Sequence, residues 1–120
     1  MEKKRLINIA KNISQERGTE KYFEFASNYL MNEMQSGIKS TNKFFKMLQV
    51  CKAKTNLSTV KHAFGVVGKN NPHIDKWIAN IIHNDDLKNL PIDELYYVMS
   101  MASRYAKVYD TENVTKKYTR

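Results

Sequence analysis

Seven lysines, Lys39, Lys43, Lys46, Lys52, Lys54, Lys61 and Lys69, fall in a stretch from Met34 to Ile74 that holds no aspartate or glutamate. A one-signed block over a third of the chain suits one kind of chemistry, the attraction of a polyanion and pairing with its charged groups. Six basic residues stand against five acidic ones before the stretch and seven against seven after it, so the formal charge of +8 is almost wholly local. Lysine offers a mobile point charge where arginine offers a planar fork, so the expected contact is with phosphates and is tolerant of sequence. The competing description is a solvated face that only keeps the protein dispersed. Lysines repeated on one helix face, with acids missing throughout, favour nucleic acid.

Other chemistry is sparse. His62, His73 and His83 lie in different segments without companion cysteines, and zinc sites need close ligand pairs. His73 and Asp75 read as a pair in the capping region of a helix. Cys51 falls at helical spacing with Phe44 and Leu48, the place of a buried structural thiol rather than a nucleophile. No arginine occurs between Arg17 and Arg104, so a compact Arg and His ribonuclease centre is absent. Gly65-Val66-Val67-Gly68-Lys69 has the spacing of a GxxG backbone-gripping loop, but it ends an apparent helix in a chain without strands. Tyr97, beside Tyr96, could stack on a base, although packing in the core or on a partner explains it as well. No enzyme, metal, cofactor or small-molecule substrate is expected.

With 120 residues the chain has the size of one domain, and 42% apolar with 27% charged residues is ordinary for a globular protein. No apolar run reaches the roughly 18 residues of a membrane span, and the charged start from Met1 to Arg5 leads into no signal-type segment. A single cysteine fits a reducing compartment, so a cytoplasmic location is expected.

The elements that must carry the lysines are helical. Leu6, Ile7, Ile9, Ala10 and Ile13 mark a first amphipathic helix over residues 2–16, with Gly18 as its C-terminal cap. Thr19 is the expected N-cap of a second, through Tyr22, Phe23, Phe25, Ala26, Tyr29, Leu30, Met31 and Met34, central to a bundle and ended by Gly37. Ser40 or Thr41 caps a third running to about Thr55. Its inner side is Phe44, Met47, Leu48 and Cys51, opposite Lys39, Lys43, Lys46 and Lys54. Ser58 or Thr59 starts a short fourth through Val60, Ala63, Phe64 and Val67, ended by Gly68, and Asn71-Pro72 opens a fifth with Ile74, Trp77, Ile78, Ile81 and Ile82. His83 to Asn89 reads as a polar connection, and the last long helix as Ile92 to about Tyr109, with Arg104 and Lys107 in its final turn. Residues 111–120 read as a flexible basic tail beyond a domain of residues 1–110. The predicted class is all-α, a compact bundle of five or six helices.

The first half resembles the small subunit of type III CRISPR-Cas effector complexes, the type III-B form more than type III-A. That family opens with a Lys/Arg- and Ala-bearing helix, continues through a Tyr- and Leu-bearing helix to an Asn-Gly-Leu element, and has a Phe seven residues after the glycine. Lys4-Arg5, Ala10, Tyr22, Leu30, Ser36-Gly37-Ile38 and Phe44 follow in that order, with a looser echo in Trp77-Ile78 and Ser103-Arg104-Tyr105-Ala106-Lys107. Ser36 stands where the family has asparagine, Met31 where proline is common, and a tryptophan late in the last helix has no counterpart. The resemblance implies a non-catalytic, RNA-binding subunit in antiviral defence, stacked in several copies along a guide-target duplex beside other subunits of the complex. Lys39, Lys43 and Lys46 would then lie along the strand, with Lys52, Lys54, Lys61 and Lys69 extending the track. Two other classes remain open: a helical adaptor or inhibitor whose lysine face meets an acidic protein, and a DNA-binding regulator with a helix-turn-helix-like third and fourth helix. The latter lacks an arginine or glutamine row for base readout.

Overall fold

The computed structural model describes residues 2–53 and 72–118, with side chains for 2–51 and 74–112. Six helices occupy them: α1 (Lys3–Ile13), α2 (Glu20–Gln35), α3 (Asn42–Ala53), α4 (Pro72–Ile82), α5 (Asp85–Lys88) and α6 (Ile92–Tyr118). No strand occurs among the described residues. The all-α bundle expected from the hydrophobic spacing is the observed class.

Two long-range patterns set the topology. Arg5 pairs with Glu94 at 3.7 Å, Lys11 lies 5.6 Å from the Tyr105 ring centre, and the Gly18 N–H donates to Asp110 Oδ1 at 3.2 Å. Residue numbers rise together, so α1 and α6 run parallel. The Ser103 hydroxyl donates to the Glu20 carbonyl at 3.3 Å, which sets the start of α2 beside the middle of α6. Among the described side chains of α6, Ile92, Leu95, Val98, Met99, Ala102 and Ala106 are buried, whereas Lys107, Val108, Thr111 and Glu112 are exposed. Helix α2 must therefore run back along the N-terminal half of α6, antiparallel to it. Leu6, Ile9 and Ala10 of α1 and Tyr22, Phe23, Ala26 and Leu30 of α2 supply the matching stripes.

The second layer is α3 on α4, joined to the first through Trp77. Ile74, Trp77, Ile78, Ile81 and Ile82 are all buried, as the spacing predicts. The Trp77 ring packs edge-on to Phe23, with centroids 5.4 Å apart at 80°, and tilted against Tyr22 at 5.7 Å. Pro72 is the first residue of α4, where its missing N–H is no loss.

Four expectations are corrected. Gly18 does not cap α1: the helix closes at Ser14, whose hydroxyl donates to the Lys11 carbonyl, and Gly18 (φ +76°) clasps Asp110 of α6 instead. Thr19 sits at the N-cap of α2 but makes no side-chain cap, since its hydroxyl donates backwards to the Glu16 carbonyl at 2.9 Å. The connection after His83 contains α5, capped by Asn84 Oδ1 accepting from the Leu87 N–H at 3.2 Å, and Leu87 is fully buried. Finally, α6 runs past Tyr109 to Tyr118, so Arg104 and Lys107 lie within it rather than in its last turn. The predicted helix over Ser58–Gly68, the Asn71 cap and the end of α3 near Thr55 fall outside the described residues.

Gly37 ends α2 as expected, and the mechanism is visible. Its φ is +82°, its N–H donates to the Met34 carbonyl and the Ile38 N–H to the Glu33 carbonyl, both at 3.0 Å, which is a Schellman closure. A Cβ there would meet no atom within 4 Å, so the cost of adding one is conformational alone. Gly37→Ala is expected to destabilise the fold by about 1 kcal/mol, read as a lower urea midpoint at unchanged m-value.

Candidate nucleic-acid interface

The lysine row stands on α3 because that helix has a strict inside and outside. At 100° per residue, Phe44, Leu48 and Cys51 share one side, and they are 1%, 0% and 2% exposed. Lys43 and Lys46 project from the opposite side with Val50, which is 46% exposed, and Gln49 is exposed between this face and Phe45. Lys39 is exposed in the connection that follows Gly37. Ser40 shapes the entry to α3, its Oγ accepting from the Asn42 N–H at 3.1 Å, and the Thr41 carbonyl takes the Phe45 N–H. The structure thus leaves Lys39, Lys43 and Lys46 exposed, in the α2–α3 connection and the first two turns of α3. Lys52 belongs to α3 by its backbone, but its side chain lies outside the described residues, as do Lys54, Lys61 and Lys69 altogether.

Beneath the row is a feature that the charge count misses. Glu33, the last acid before the acid-free stretch, is turned inward: its side chain is only 9% exposed, and its Oε2 lies 3.8 Å from Lys43 Nζ. Glu33 Oε1 has no hydrogen-bond partner among the described residues. The Tyr29 hydroxyl is pushed to a higher pKa, first by its own burial, then by hydrogen bonding and charge from the Glu33 carboxylate, with a smaller effect from Cys51. The Tyr29 ring rests on Phe44 at 5.9 Å between centroids, which joins this polar cluster to the core. A sequence signal for Glu33 did exist. It lies three residues after Leu30 and seven after Ala26, on the buried stripe of α2.

No family model, curated protein or solved structure matches this chain.

The remaining chemical candidates separate. Burial pushes the Cys51 thiol up from its ordinary pKa, and its Sγ lies 3.9 Å from Met47 Sδ, an inert setting for a thiol. His83 is exposed, the side chain of His73 lies outside the described residues, and so does His62. No group of three or more His, Cys, Asp or Glu is placed to hold a metal among the described residues. Tyr96 and Tyr97 are half-buried against the core, while the Gly65–Lys69 segment lies outside the described residues. No helix among the described residues is long and apolar enough to cross a membrane.

One open cleft of about 510 Å³ was not legible in the sequence. It lies where the C-terminal ends of α1 and α4 meet and is lined by Asn12, Gln15, Glu16, Asn80, His83 and Asn84. Glu16 holds its two sides together, accepting from Asn80 Nδ2 at 3.2 Å and pairing with Lys76 at 3.4 Å. Two helix C-termini bring carbonyl oxygens toward this place, which makes it a poor phosphate site compared with the α3 face.

Proposed function

We propose that this chain is a non-catalytic, RNA-binding structural subunit of a ribonucleoprotein complex and that it meets the phosphate backbone through the outer side of α3. One observation carries the reading: Lys39, in the connection before α3, and Lys43 and Lys46, on α3, are all exposed within an acid-free segment, and α3 is anchored by Phe44, Leu48 and Cys51. A helix fixed from beneath presents its cations without having to order itself first, which suits backbone contact. The RNA-guided, type III CRISPR-Cas-like assignment rests on the pattern from Lys4-Arg5 through Gly37 to Phe44.

The test is a salt titration with a fluorescent RNA and a DNA of the same sequence. Neutralisation of four to six phosphates gives a slope of log affinity against log salt of roughly 3 to 5 in magnitude. A flat response defeats the reading. Preference for duplex DNA favours a transcriptional regulator, and native purification yielding a nuclease-insensitive complex with an acidic protein favours an adaptor. Copurified RNA, with partner proteins released by nuclease, is the outcome expected of a ribonucleoprotein subunit.

A further inference from the structure

A carboxylate withdrawn from water is unfavourable unless it is paired, and Glu33 has an incomplete set of partners. Its side chain is 9% exposed, Oε1 lacks a hydrogen bond among the described residues, and Oε2 faces Lys43 at 3.8 Å. Lys43 is the opposite case, with 67% of its side chain exposed. An ammonium carries three donors, so Lys43 can face both the buried carboxylate and a ligand at the surface. Lys39 and Lys46 have no ion-pair partner among the described residues.

We infer that Glu33 is a built-in competitor for Lys43, which lowers the charge of the row at that point until a polyanion engages Lys39 and Lys46 as well. The inference rests on the proposed RNA-binding reading and deepens it, because it concerns which anions the face accepts. A single phosphate arriving at Lys43 meets a cation already offset by Glu33, and it stands only a few ångströms farther from that negative charge than from the ammonium. A chain of phosphates reaches the neighbouring lysines at the same time and outcompetes one carboxylate. Glu33 thereby biases the face toward polyanions and against free phosphate or mononucleotides.

The experiment is a double-mutant cycle on RNA affinity, with inorganic phosphate as the second ligand. Glu33→Gln keeps the shape and removes the charge. It is expected to tighten RNA binding about three- to tenfold at low salt, to steepen the salt slope by about 1, and to make inorganic phosphate a better competitor. In a Lys43→Gln background the gain should vanish, and Lys43→Gln alone should weaken binding less than Lys46→Gln. Unchanged or weaker binding by Glu33→Gln, or a gain that persists without Lys43, overturns the inference. Should Glu33→Gln fail to fold by circular dichroism, the two exposed-lysine variants decide, since equal losses at Lys43 and Lys46 overturn it as well. A wild-type protein that binds no polyanion overturns this inference and the proposed function together. Wild-type binding that is indifferent to Glu33 overturns the inference alone.

Discussion

A variant carrying Lys39→Glu, Lys43→Gln and Lys46→Glu should bind RNA at least about a hundredfold more weakly than the wild type while keeping its helicity. Each full lysine contact with a phosphate at about 4 Å contributes on the order of 1 kcal/mol in water, so losing Lys39 and Lys46, with a smaller share from Lys43 because Glu33 already offsets it, amounts to between about one and a half and two decades in affinity. The two reversed charges add repulsion. The salt slope should fall by about 2 in the same experiment, because Lys39 and Lys46 no longer neutralise phosphates and Lys43 is already offset by Glu33. Glutamine is chosen at position 43 because a glutamate there would face the buried carboxylate of Glu33, now 3.8 Å from Lys43 Nζ, and would confuse lost binding with lost stability. Lys39 and Lys46 are exposed, so their reversal leaves the core untouched. Affinity measured by fluorescence anisotropy, beside far-UV circular dichroism, separates the two effects, and an unchanged affinity removes α3 as the interface.

The places where sequence reasoning succeeded share a physical cause. In α4, five apolar residues repeat at helical period behind Pro72, and every one is buried. In α3, Phe44, Leu48 and Cys51 are buried and Lys43 and Lys46 are exposed, as the spacing predicts, although Val50 stands exposed beside the lysines. Failures occurred where a long-range contact or a missing signal decided the outcome. Gly18 was recognisable as a residue for positive φ, but its partner Asp110 is 92 positions away, and local spacing cannot show that. Helix α5 is four residues long, too short for any period, although Asn84 ahead of Asp85 and Asp86 carried the capping chemistry. The polar composition after Tyr109 suggested that the helix ends there, yet no glycine or proline follows Pro91, so nothing in the backbone stops α6 before Tyr118. Charge counting found the lysine row but treated all its members alike. Only the fold shows that Lys43 differs from Lys39 and Lys46, because a carboxylate from the preceding helix is folded beneath it.

Truncation of Trp77 should cost more stability than any other prediction made for this chain, about 3 to 5 kcal/mol for Trp77→Ala, measured as a fall in the urea midpoint at constant m-value. Trp77 is among the largest fully buried side chains, 2% exposed, and it alone brings an α4 ring against both Tyr22 and Phe23 of α2 among the described ring contacts. Its loss removes the apolar area of an indole, leaves a void that those two rings can only partly fill, and forfeits two aromatic pairs, each contributing about 0.5 to 1.5 kcal/mol beyond area. Trp77→Phe should cost less, since a smaller ring restores part of the contact. The site feels this change through the fold. Helix α3 rests on α4, and α4 is tied to α2 at Trp77, so that tie supports the spacing of the lysine row and Glu33 beside the direct Tyr29–Phe44 contact. A Trp77→Ala protein that remains folded at low temperature should therefore lose RNA affinity before it unfolds, and should lose the dependence on Glu33 with it. Retention of both would mean that α2 and α3 hold each other through Tyr29 and Phe44 without help from the second layer.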